Sequence, residues 1–137
     1  MKKKRVIKIT TIVLACLLLI SAISIYAIPK LRITLYVHIY HNSMEKALNA
    51  ENQAPIGNIN VNTWEGTHSM TEYIVMSFGD TYYGYYYSPD DVPLAFQNFD
   101  TELTQDGHDY WVWQADGDNH GATSKIIDNW YYFEASF

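Results

Sequence analysis

TEYIVMSFGDTYYGYYY, residues 71–87, decides how this chain folds. Two runs rich in β-branched and aromatic residues flank Gly79-Asp80, the composition of two antiparallel strands joined by a tight turn. Successive side chains of a strand point to opposite faces. Tyr83, Tyr85 and Tyr87 therefore share one face of the return strand, and Tyr82, Gly84 and Tyr86 the other. The same texture continues on both sides. Residues 59–65 alternate as a strand, with Ile59 and Val61 on one face. After the hairpin, Ser88-Pro89-Asp90-Asp91 is a polar turn cluster that Pro93 prolongs, and residues 94–103 read as a short helix. Residues 105–108 form a turn, 110–114 a strand, 116–119 a turn, 122–127 a strand, 128–129 a turn and 130–135 a closing strand. Turn signals every 8–12 residues describe an antiparallel meander.

Upstream lies a different kind of sequence. Residues 9–28, ITTIVLACLLLISAISIYAI, contain no charge. Twenty helical residues at 1.5 Å each reach about 30 Å, the thickness of a bilayer's hydrocarbon core. Lys2, Lys3, Lys4, Arg5 and Lys8 precede the run, and Lys30 and Arg32 follow it. That imbalance orients residues 1–8 to the cytoplasm and everything after residue 28 outward. A retained signal anchor fits best. Two other fates are cleavage after Ala27, and lipid attachment at Cys16 through Val13-Leu14-Ala15-Cys16. The apolar run is longer than a usual signal-peptide core, and more apolar sequence follows Cys16 where a lipid-anchored protein would carry a polar tether.

Residues 31–49, LRITLYVHIYHNSMEKALN, carry both periodicities. The helical spacing of Ile33, Val37, Tyr40, Met44 and Leu48, with the helix-prone MEKALN end, favours one continuous helix that stops before Pro55. The expected fold is therefore α+β. A transmembrane helix continues into a juxtamembrane helix packed on a small antiparallel sheet of about five strands. The divisions are a basic cytoplasmic tail (1–8), an anchor (9–28), a juxtamembrane helix and linker (29–54) and an aromatic-rich extracytoplasmic β-domain (55–137).

Charge and cysteine usage narrow the function classes. Residues 29–137 carry Lys30, Arg32, Lys46 and Lys125 against fifteen carboxylates, a balance of −11 inside a whole-chain value of −6. Such a domain repels nucleic acid and anionic headgroups. The lone cysteine, Cys16, lies inside the apolar run, so the outer domain has no disulfide, and no Asn-x-Ser/Thr sequon occurs. Both features favour a bacterial cell envelope.

Four constellations could carry chemistry. Tyr83, Tyr85, Tyr87, Trp111, Trp113 and Trp130 could form an aromatic platform of the kind that stacks on sugars, which points to a cell-wall glycan; the plainer reading is core and cross-strand pairing. Asp116-Gly117-Asp118-Asn119-His120-Gly121 copies the first half of a calcium loop, with Asp116 and Asp118 as ligands. Ile127 stands where the bidentate Glu belongs, which leaves a weak site or a plain turn. His38, His41 and Glu45 could share a helix face and offer zinc three ligands. Asp90 and Asp91 are adjacent carboxylates in a proline-braced loop, the one pair that suggests a small hydrolase. No nucleophile elbow, P-loop or dinucleotide fingerprint occurs. The expectation is a non-catalytic, cofactor-free envelope module that meets the lipid bilayer through residues 9–28 and, outside, an envelope protein or a glycan.

Overall fold

The computed structural model describes the backbone of residues 2–49, 60–64, 68–97 and 100–137, and the side chains of 10–21, 23, 28–48, 68–97 and 100–137. Residues 50–59, the core of the expected linker, lie outside that description. The chain divides into two compact units, Met1–Arg32 and Ile33–Phe137.

The first unit is built on α1 (Lys2–Ala27). Its described apolar side chains, among them Leu14, Leu17, Leu18, Leu19 and Ile20, are exposed. The Ser21 hydroxyl donates to the Leu17 carbonyl at 2.9 Å, so this polar group is satisfied within its own helix. Among the described residues, no helix is long and apolar enough to cross a membrane. The structure therefore lends no support to the expectation of a transmembrane anchor at residues 9–28. Helix α2 (Pro29–Asn49) opens on proline, whose fixed φ and missing N–H suit the first helical position. The expectation of one helix from residue 31 to 49 holds.

Among the described residues, the second unit carries a seven-stranded antiparallel sheet where about five strands were expected. Its strands are β1 (Asn60–Trp64), β2 (Met70–Phe78), β3 (Thr81–Tyr87), β4 (Thr104–Gln105), β5 (Tyr110–Gln114), β6 (His120–Ile127) and β7 (Trp130–Ser136), in the order β1-β2-β3-β7-β6-β5-β4. Two meanders, β1–β3 and β4–β7, are joined through β3 and β7, where Tyr85 pairs with Tyr132 and Tyr87 with Trp130. The unexpected strand β4 is two residues long, and half of it falls in the segment read as a turn.

Both faces of this sheet are covered over β2, β3 and β7. On one, Ile33, Val37 and Met44 of α2 pack on Tyr73, Tyr85, Trp130 and Tyr132. Tyr73 and Tyr85 stack at 4.8 Å, and the Trp130 indole N–H donates to Glu45 Oε1 at 3.0 Å. On the other, Leu94, Ala95 and Phe96 pack on Met70, Tyr86, Tyr131 and Phe133. The Phe96 and Phe133 rings stack with centroids 4.1 Å apart. Phe133 lies across Gly84, where a Cβ would come within 2.6 Å of the ring and 2.2 Å of the Tyr73 carbonyl oxygen. Glycine is thus required there for close approach, not for turning.

The segment that covers the second face is not the short helix expected over residues 94–103. Asp91 and Gln97 have φ of 52° and 54°, and residues 91–95 are irregular. Two of its amides find partners outside any helix: Val92 N–H donates to Ser88 Oγ at 3.2 Å and Leu94 N–H to the Tyr86 hydroxyl at 2.8 Å. The Tyr86 hydroxyl in turn meets Thr123 Oγ1 at 2.8 Å, and Thr123 Oγ1 donates to the Tyr132 carbonyl at 2.9 Å. This buried relay satisfies the Leu94 amide where an irregular backbone lies on an aromatic sheet.

Candidate functional site

The site arises where aromatics give way to small residues. Trp130 and Tyr132 of β7 face α2, so Glu134 and Ser136 face the same way. Pairing carries that face across the sheet. Tyr132 is opposite Ser124, and Ser124 opposite Tyr110. Glu134 is opposite Ala122, then Val112, then Thr104. Ser136 is opposite His120, then Gln114. Bulky rings fill the face over β2, β3 and the start of β7, whereas serine, alanine, valine and threonine carry it over β4, β5 and β6. The result is an open groove of about 630 Å³, within the range of small-molecule and side-chain pockets. Glu102, Tyr110, Val112, His120, Ala122 and Glu134 are its chemically informative lining.

Two carboxylates and an imidazole give the groove its character, and no lysine or arginine is among the described residues that line it. Glu134 is held in place: the Tyr132 hydroxyl donates to its Oε2 at 3.2 Å. Burial first, and then the neighbouring Glu134 charge, push the Tyr132 phenol well above its ordinary range, so it remains a donor at any physiological pH. His120 Nδ1 lies 2.6 Å from the Asp118 carbonyl oxygen, which can only accept. Nδ1 therefore carries the proton and Nε2 is the ring's second polar atom. Ser136 Oγ is engaged with Thr81 Oγ1 at 2.8 Å. His120 is thus oriented through Nδ1 by the Asp118 carbonyl, and Ser136 Oγ is engaged by Thr81.

The residues singled out from sequence are placed as follows. Tyr83, Tyr85, Tyr87 and Trp130 lie on the α2 side, whereas Trp111 and Trp113 pack on the opposite core, so the six rings do not form one surface. Tyr85 and Trp130 are 0% exposed and Trp113 is 3% exposed. Asp116 and Asp118 are exposed on the β5–β6 turn. The Gln114 amide donates to the carbonyls of Ala115, Gly117 and Asn119 at 3.1–3.3 Å, closing the turn on itself. Among the described residues, no group of three or more His, Cys, Asp or Glu side chains could hold a metal ion. The helix-face trio separates as well: His41 Nδ1 meets the His38 carbonyl at 3.1 Å, while Glu45 accepts from Trp130.

The two adjacent aspartates diverge. Asp90 pairs with His68 at 3.1 Å on the surface. Asp91 instead fastens the covering segment to the β6–β7 turn. It accepts from Lys125 Nζ at 2.6 Å and from the Asn129 amide at 2.8 Å, and the Tyr131 hydroxyl donates to it. Desolvation alone would raise the Asp91 carboxyl; the hydrogen bonds from Lys125, Asn129 and Tyr131 outweigh it and hold the group below the usual carboxylate range. The Asn129 side-chain amide completes the knot by donating to the Ser88 and Pro89 carbonyls at 3.0 Å each.

No family model, curated protein or solved structure matches this chain. What the fold and groove define is a class, an α+β domain whose antiparallel sheet is covered on both faces except on the α2 side over β4, β5 and part of β6. Sequence reasoning missed Glu102, Glu134 and His120 as one site. The signal available was the run of small side chains at Ala122 and Ser124 amid aromatic strands.

Proposed function

We propose that this protein is a single-pass, membrane-anchored envelope protein whose outer domain binds a partner without catalysing a reaction. Residues 9–28, uncharged and flanked by five basic residues on the N-terminal side, support the anchor. The observation that carries the binding reading is the groove, an open concave surface on a sheet whose other aromatic faces are packed. A glycan platform has less support, since its candidate rings divide between two cores.

The topology is tested by placing a thiol at exposed Asp106 in a Cys16→Ser background of the full chain. A membrane-impermeant maleimide should label Asp106→Cys on intact bacterial cells. Labelling only after lysis would refute the outward orientation.

A further inference from the structure

The groove has a chemistry specific enough to name its ligand class. We propose, building on the reading of the outer domain as a binding module, that it takes the cationic side chain of a lysine or arginine in a partner peptide. Val112 and Ala122 form an apolar floor for a methylene stem, with the Tyr110 ring beside them. Glu102, on the segment before β4, and Glu134, on β7, supply carboxylates for an ammonium or guanidinium head. Glu134 is pre-oriented by the Tyr132 hydroxyl, so less side-chain freedom is lost when a cation arrives.

A further observation points the same way: the surrounding field is one-sided. Residues 33–137 carry only Lys46 and Lys125 against fifteen carboxylates, and Lys125 is tied to Asp91 and Asp128 at 2.6 and 3.1 Å. Cations are drawn to such a surface and anions repelled.

The test uses the full chain in uncharged maltoside micelles and isothermal titration with acetyl-Lys-Ala-Lys-amide. The same peptide with citrulline in place of lysine is the neutral probe. The lysine peptide should bind at least about tenfold more tightly than the citrulline peptide. Glu102→Gln with Glu134→Gln should weaken it by about tenfold or more, the scale of losing charge-assisted hydrogen bonds. Asp90→Asn with Asp128→Asn makes the same charge change away from the groove and should cost less than about threefold. Equal losses in the two double variants would overturn the proposal, because diffuse charge would then explain the binding. So would absence of binding by the lysine peptide. Equal affinity for the citrulline peptide, abolished by Ala122→Trp, would overturn the cation class while leaving the binding-module reading standing.

Discussion

Truncating Phe96 tests whether an irregular segment can be a true half of a protein core. Phe96 is 1% exposed and stacks on Phe133 at 4.1 Å, with Phe137 at 5.8 Å and Tyr82 at 6.4 Å. Burying such a ring removes roughly 150–250 Å² from water, which at about 25 cal/mol per Å² is worth roughly 4–6 kcal/mol as an upper bound. Measured Phe→Ala truncations in packed cores cost about 3–5 kcal/mol, so the two routes agree. Total stability of a domain this size is about 5–15 kcal/mol, and Phe96→Ala should leave it close to unfolding. Phe96→Leu keeps more of the volume and should cost less than the truncation, which keeps the effect measurable. The assay is urea denaturation of the full chain in micelles, followed by tryptophan fluorescence. A loop that merely drapes over the sheet would lose less than about 0.5 kcal/mol, as surface substitutions do. That result for Phe96→Ala would refute the claim that residues 88–97 close the second core.

Other perturbations probe separate contacts. Gly84→Ala should destabilise by about 1–3 kcal/mol or more in the same denaturation assay, because the new Cβ meets the Tyr73 carbonyl and the Phe133 ring. Tyr86→Phe should cost about 1–3 kcal/mol by stranding the Leu94 N–H and removing the hydroxyl that meets Thr123 Oγ1, with the segment opening read by hydrogen exchange at Leu94. Asp91→Asn should cost no more than about 1 kcal/mol at neutral pH, since the Lys125 pair is partly exposed. Its pH dependence is diagnostic. The folded Asp91 carboxyl is depressed, so its stabilisation is fully present above the unfolded value of about 3.9 and is lost as pH falls through the lower folded value. Melting temperatures measured from pH 5 to pH 2 should therefore fall less steeply in Asp91→Asn than in wild type; parallel curves would show that Asp91 does not carry this linkage. Phenol absorbance should show Tyr73 titrating late, near its displaced value of about 12, because burial disfavours the phenolate.

Much of the architecture was legible because it rests on local chemistry. The period-2 alternation of β2, β3, β5, β6 and β7 is written in neighbouring residues, and so are the turns at Gly79-Asp80 and Asp128-Asn129. Helix α2 followed from its i, i+4 spacing, and Ile33, Val37 and Met44 are the residues it buries. The helix expected over residues 94–103 failed for a tertiary reason. The Tyr86 hydroxyl captured the Leu94 amide, and Asp91 was tied to Asn129, which lies 38 residues away. Those partners become neighbours only when the sheet is assembled.

By itself the sequence determined an uncharged apolar helix ahead of an acidic, aromatic, antiparallel domain, because hydrophobicity, charge and strand alternation are properties of short stretches. Only the tertiary structure decided that both aromatic faces of the sheet are buried, and that Glu134, Ala122, Val112 and Thr104 fall in one row beneath an open groove. The strand order β3-β7-β6-β5-β4 makes that row, and strand order depends on pairings between distant segments that no local pattern records.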